Sequence, residues 1–198
     1  MKSMKNKIKP IVATALILLV SPTGITADGT INVSGAITDS TCTVLGVISD
    51  SEIGTAQPVL NPVITLTNLS EDSNSASSFR WFQIHIKNCY ATAQRQNIRI
   101  RLTSPYADSS GYLRNAISNG AKGKVIMLYE RSVINNSNQS LPVGQGRSAT
   151  AWFNLPAQNG GEDGTIRLGF IASAHTAYGE TATPGAFSTS VDYEMEYQ

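Results

Sequence analysis

Residues 185–198 read G-A-F-S-T-S-V-D-Y-E-M-E-Y-Q. Phe187, Thr189, Val191, Tyr193, Met195 and Tyr197 take the odd positions, and Ser188, Ser190, Asp192, Glu194, Glu196 and Gln198 take the even ones. A period of two sustained over this length describes a β-strand with one buried face and one wet face. An apolar strand this long needs a partner along both edges, because an open edge offers its row of backbone donors and acceptors to other chains. The question is what lies beside it.

Working back from this strand, signals of the same kind recur, separated by Gly, Pro, Asn and Ser clusters, which points to an all-β sandwich. The expected strands are 31–38, 41–48, 59–67, 79–88, 97–103, 125–129, 149–155 and 165–173. Pro62 marks the third as an edge strand or a bend, since proline cannot donate to a ladder. In 79–88, Phe82, Ile84 and Ile86 form the inner face, while Trp81, Gln83, His85 and Lys87 face outward. In 97–103, Ile98, Ile100 and Leu102 alternate with Asn97, Arg99 and Arg101. Residues 69–78, 104–124 and 132–145 read as loops. The turn-rich N-G-G-E-D-G of 159–164 is expected to join 149–155 to 165–173 as a hairpin.

The first 27 residues have a different character. Lys2, Lys5, Lys7 and Lys9 precede a ten-residue apolar run, 11–20, and small residues follow it up to Ala27. That run is too short to span a bilayer, so 1–27 reads as a secretory signal peptide. The mature chain is then expected to begin at Asp28, exported and soluble, with 171 residues and enough length for one domain with its own core. Losing four lysines leaves 11 basic against 14 acidic residues, a net charge near −3. With no basic run carrying interleaved aromatics, nucleic acid is not an expected partner. Cys42 and Cys89 are the only cysteines, and in an oxidising compartment they are expected to form an intramolecular disulfide. Closing a loop of about 48 residues stabilises by about 4 kcal/mol in the chain-entropy model.

Little in the chain suggests catalysis. His85 and His175 are too few and too far apart in sequence for a zinc or copper site, which needs three or four convergent ligands. The G-x-S-x-G elbow of a serine hydrolase is missing, and G-A-K-G-K at 120–124 lacks phosphate-loop spacing. Glu162 and Asp163 read as a solvated turn pair. Trp81, with Tyr90, Tyr106 and Tyr112 near loops, would suit a sugar-stacking platform, but scattered surface aromatics are ordinary and are read as such. No catalytic residue, metal ligand or cofactor-binding residue is expected, and the protein is not read as an enzyme.

The start of the mature chain answers its end. Residues 28–41, D-G-T-I-N-V-S-G-A-I-T-D-S-T, alternate with Ile31, Val33, Gly35 and Ile37 on one side. A glycine on an apolar strand face weakens the strand unless something must approach closely. Two readings are open: the first strand of the sandwich, or a projecting segment that enters a groove on another molecule.

Taken in order, these features resemble the chaperone–usher pilin family, the structural subunits of bacterial fimbriae. They are the leader, the alternating extension with its apolar-face glycine, T-C-T-V at 41–44, F-Q-I-H-I-K-N-C at 82–89, and the alternating terminus with penultimate Tyr197. The resemblance implies an incomplete immunoglobulin-like β-sandwich that lacks its final strand and is completed by a donor strand from a partner. It divides the chain into signal peptide (1–27), donor-strand extension (28–40) and pilin domain (41–198). Ile31, Val33, Gly35 and Ile37 would be the donor positions; Phe187, Val191, Tyr193, Met195 and Tyr197 would line the acceptor groove and contact the chaperone. The implied partners are a periplasmic chaperone, an outer-membrane usher and neighbouring pilin subunits. The implied destination is the surface fimbria, reached through the periplasm, with a role in cell adhesion. The alternative is a minor or tip-associated subunit with carbohydrate or host-receptor binding of its own.

Overall fold

Among the described residues the chain forms ten strands: β1 Gly29–Ala36, β2 Thr43–Ser49, β3 Val63–Leu66, β4 Ser78–Lys87, β5 Asn97–Thr103, β6 Lys124–Ser132, β7 Ser137–Ser140, β8 Phe153–Asn154, β9 Ile166–Thr176 and β10 Phe187–Tyr197. The computed structural model describes residues 29–36, 42–49, 57–60, 63–66, 78–132, 137–144, 148–158 and 163–198. The leader 1–27, Asp28, Ile37, Pro62, nearly all of the loop 69–78 and Glu162 lie outside them. No helix occurs among the described residues.

Two five-stranded sheets result. The front sheet runs β3-β1-β10-β5-β8 and the back sheet β2-β4-β9-β6-β7. Every pairing is antiparallel except that of β1 with β10. The inner faces meet in one core, where the Phe82 and Phe170 rings stack with centroids 5.2 Å apart and Ile84, Ile86, Ile98, Ile100 and Leu128 are buried. Burying each such side chain contributes about 1.5–3 kcal/mol. The inner faces of 82–86 and 98–102 fall where alternation placed them.

The disulfide joins Cys42, just before β2, to Cys89, just after β4. These strands are neighbours, with Thr43 opposite Lys87, so the bond closes the end of a ladder. Past Val44 the register of β2 shifts at a bulge. There Gly46 takes φ 131° with the Val59 backbone packed against its Cα, a place where no side chain fits.

Two expectations fail. Residues 149–155 and 165–173 do not form a hairpin: β8 keeps two residues and pairs with β5 in the front sheet, while β9 lies between β4 and β6 in the back sheet. β9 buries Leu168, Phe170, Ala172 and Ala174 on one face and Ile171 and Ser173 on the other, and its backbone pairs along both edges with the long strands β4 and β6. Pro156, which has no amide hydrogen, lies two residues beyond β8. The polar stretch 132–145, read as a loop, contains β7, whose four residues are all exposed. An edge strand with both faces wet carries no alternation to read.

Candidate functional site

β10 is held differently on its two edges and in its two halves. Its outer half, 192–197, pairs antiparallel with β5. On that same edge the first half has no strand; the connection between β5 and β6 takes the role instead. The Ala116 amide donates to the Ser188 carbonyl at 2.7 Å, the Ala121 amide to that of Ala186 at 2.9 Å, and the Ser104 hydroxyl to that of Ser190 at 2.6 Å. Asn115 organises this seam: its Nδ2 donates to the Ala121 and Ala186 carbonyls, both at 2.9 Å, and its Oδ1 accepts from Ser188 at 2.9 Å and Ile117 at 3.1 Å. The reading of 104–124 as a loop holds up to residue 123, Lys124 already belonging to β6, but the part this connection plays in capping the strand edge left no periodic signal.

The opposite edge of β10 is taken by β1, in parallel, from Gly29 opposite Phe187 to Ala36 opposite Glu194. The other edge of β1 pairs antiparallel with β3. A strand more than 150 residues away in sequence thus fills the slot between β3 and β10. The slot that the pilin resemblance leaves for a partner's strand is occupied here by the chain's own amino-terminal segment. Ile31 and Val33 are buried in the core, and Gly35 lies opposite Tyr193. A Cβ at Gly35 would collide with the Tyr193 ring, which explains the glycine on an apolar face. On the outer face, the Thr30 hydroxyl donates to Ser188 at 3.3 Å, and that of Ser34 donates to the Asp192 carboxylate.

Of the anticipated groove residues, Phe187, Val191 and Tyr193 lie alongside β1 with buried side chains. Met195 and Tyr197 lie beyond Glu194, the last residue paired with β1, and face β5 residues Ile100 and Ile98. Thr189, also on the inner face, is opposite Ile31; its buried Oγ1 has no hydrogen-bond partner. Burial pushes the Tyr193 phenol up from its ordinary value. At the far end of β10, Arg99 and Arg101 both reach Glu196 at 2.5 Å. The hydrogen bond from Arg101, together with that from Arg99, holds the Glu196 carboxyl below its ordinary value against the opposing effect of burial.

The remaining singled-out residues stand elsewhere. His85 faces Arg167 on the back sheet and His175 sits eight residues further along β9. Tyr90, Tyr106 and Tyr112 do not line the cleft beside Trp81; Phe79 and Tyr129 do. What the slot can do is hold one extended strand: main-chain pairing on two edges supplies affinity, and pockets for alternate side chains supply selection.

No protein-family model matches the chain, and no curated protein matches it in sequence. Solved structures similar to it include the P pilus rod subunit PapA, at 19% identity, covering 80% of this chain and 100% of that one, with a TM-score of 0.48. A chaperone–usher pilus structure addressing rod uncoiling is similar at 19% identity, 83% and 92% coverage, and a TM-score of 0.49. An antigen and type I fimbria protein of Burkholderia pseudomallei is similar at 20% identity, 88% and 99% coverage, and a TM-score of 0.46.

Proposed function

We propose that this chain is a structural subunit of a bacterial fimbria that polymerises by strand exchange, with residues 28–40 as the donor and the slot between β3 and β10 as the acceptor. The observation that carries the proposal is the parallel insertion of β1, which completes the front sheet and the core; with the expected leader 1–27 removed, this segment is joined to the rest of the chain only through residues 37–41. Such a strand is replaceable by an equivalent strand from another molecule without breaking a covalent bond. An empty slot would expose the β10 edge and the side chains of Phe187, Val191 and Tyr193, which favours aggregation. On this reading a periplasmic chaperone covers the slot before assembly. At the outer-membrane usher, the amino-terminal strand of the next subunit takes its place, and the finished fibre stands on the cell surface and serves adhesion.

The test uses a variant lacking residues 28–37, refolded with and without a synthetic peptide of residues 28–40. With the peptide it is expected to form a soluble one-to-one complex; without it, to aggregate. Mixed during refolding with the full chain and the peptide, it is expected to give a heterodimer on size exclusion, the full chain's donor filling the variant's slot and the peptide filling the slot that the full chain's own strand has left. A truncated chain that folds as a stable monomer without peptide, or that refuses the peptide, would overturn the proposal.

A further inference from the structure

The outward face of the back sheet carries a cleft of about 270 Å³ whose walls are aromatic and whose floor sets two polar side chains beside Ile171. Phe79 and Trp81 on β4 and Tyr129 on β6 form the walls; Ile171, Ser173 and His175 on β9 contribute the floor. Pairing brings these strands together, with Trp81 opposite Ile171 and Ile171 opposite Tyr129, and with Phe79 opposite Ser173. The Arg131 guanidinium lies 3.1 Å from the centroid of the Trp81 ring, so the indole is held from one side while it lines the cleft. Phe79 is 48% exposed although it is a large apolar side chain.

Two polar atoms in the floor have no hydrogen-bond partner: Oγ of Ser173, a residue only 3% exposed, and Nε2 of His175. Buried polar groups are ordinarily satisfied, and one left without a partner calls for an explanation such as a ligand or water that completes it. From this we propose that the cleft binds a single neutral pyranose ring.

Each feature excludes an alternative. A purely apolar occupant would fill the space between the aromatic walls but leave Ser173 and His175 unsatisfied. An anion would find hydroxyl, imidazole and amide groups but no cation among the lining residues, since Arg131 is engaged with the Trp81 ring and Lys124 with Thr176. Burial, and next the nearby charge of Lys124, lower the His175 imidazole below its ordinary value, so at neutral pH it is an uncharged donor or acceptor. A sugar ring presents an apolar C–H face to the aromatic side chains and hydroxyls at its rim to Ser173, His175 and Asn138, the last also at the cleft. The volume lies just below the roughly 300 Å³ at which pockets for drug-sized ligands begin, a scale that suits one sugar residue.

Saturation-transfer NMR on the full chain with the methyl glycosides of glucose, galactose and mannose tests the proposal. At least one glycoside is expected to receive saturation at its ring C–H protons. Ser173→Ala removes the unsatisfied hydroxyl and is expected to hold or raise the unfolding midpoint, and Phe79→Ala trims an exposed wall and is expected to keep it; each is expected to weaken binding at least tenfold. Tyr106→Ala, outside the cleft, is expected to bind as the parent does. No transfer to any of the three glycosides, or undiminished transfer in both cleft variants, would overturn the proposal. So would an apolar peptide selected by phage display that is lost on Phe79→Ala but not displaced by any glycoside, since that outcome assigns the cleft to a protein partner.

Discussion

Gly35 stands opposite Tyr193 in the parallel pair of β1 with β10, and the tyrosine ring occupies the space where a side chain at position 35 would begin. The small residue on one strand and the large one on its neighbour are a single packing unit. Any donor strand that runs parallel to β10 in this register meets the same ring, so the pair also fixes which residue of the donor sits where.

Gly35→Val is therefore expected to destabilise the chain by about 1–3 kcal/mol, the usual cost of forcing volume into a packed site. Tyr193→Ala is expected to be destabilising alone, since the ring is buried. Combined with it, Gly35→Val should lose much of its own cost. Urea denaturation of the four proteins of the cycle measures the coupling. Additive losses would mean that the ring does not set the limit at position 35.

Thr189 makes the opposite prediction, a gain. Its hydroxyl is buried and unpartnered beside Ile31, and an unsatisfied buried polar atom costs about 1–3 kcal/mol. Thr189→Val keeps the shape and removes the hydroxyl. An increase of about 1 kcal/mol in unfolding free energy is expected, with an unchanged denaturant slope; a decrease would show that the hydroxyl is satisfied in solution.

The seam beside Ser188 depends on Asn115, whose side chain makes four hydrogen bonds to backbone groups. Asn115→Ala is expected to cost about 2 kcal/mol or more, because it leaves several of those groups without partners. Hydrogen exchange should locate the effect: the Ser188 amide loses protection, while amides of Glu194 and Glu196, in the part of β10 paired with β5, keep theirs. Uniform loss along β10 would contradict a local clamp.

The legibility of the chain follows from which residues bury a single face. β4, β5 and β10 were readable because each hides one face and wets the other, so Phe82 to Ile86, Ile98 to Leu102 and Phe187 to Met195 alternate. β9 was placed but mispaired, because a strand covered on both faces carries no information about its neighbours. β7 and the Asn115 seam were invisible: the first is exposed throughout, and the second is a set of polar contacts to backbone that alternation does not encode. The disulfide was legible from the number of cysteines and the compartment expected for the chain. In the slot, Gly35 signalled a close approach, but the sequence did not name the ring that makes it. The parallel direction of β1 in this chain's own sheet depends on contacts between residues 158 positions apart. The cleft on the back sheet was missed because Phe79 and Tyr129 come from different strands and become neighbours of Trp81 only through β9.

Removing the disulfide by the paired change Cys42→Ser and Cys89→Ser is expected to lower stability by about 4 kcal/mol in the chain-entropy model, for a loop whose ends are 47 residues apart. The loss should appear in thermal unfolding and should match that of the parent under reducing conditions. A parent indifferent to reductant would mean that the bond is not formed in the isolated protein.

The pH dependence of stability contains two carboxyls of opposite sign. Glu196, held below its ordinary value by the Arg101 hydrogen bond and its neighbours, contributes stability that is present above the ordinary glutamate range and lost as pH falls through its folded-state value. Glu130 does the reverse. It is 7% exposed and accepts the Ala151 amide at 3.0 Å, and burial raises its carboxyl above the ordinary 4.5, with that amide pulling it only partly back. The folded state therefore keeps this proton where the unfolded chain has released it, so stability falls as pH rises from about 4.5 through the folded-state value and then levels off. Glu130→Gln keeps the acceptor for Ala151 and cannot ionise. It is expected to match the parent below that window and to exceed it at neutral pH by on the order of 1 kcal/mol, the scale of burying a charge that is only partly compensated. The difference between the two stability curves isolates this one group, because Glu196 is common to both. A difference that is constant with pH, or that favours the parent at neutrality, would show that Glu130 is charged and well satisfied where it lies.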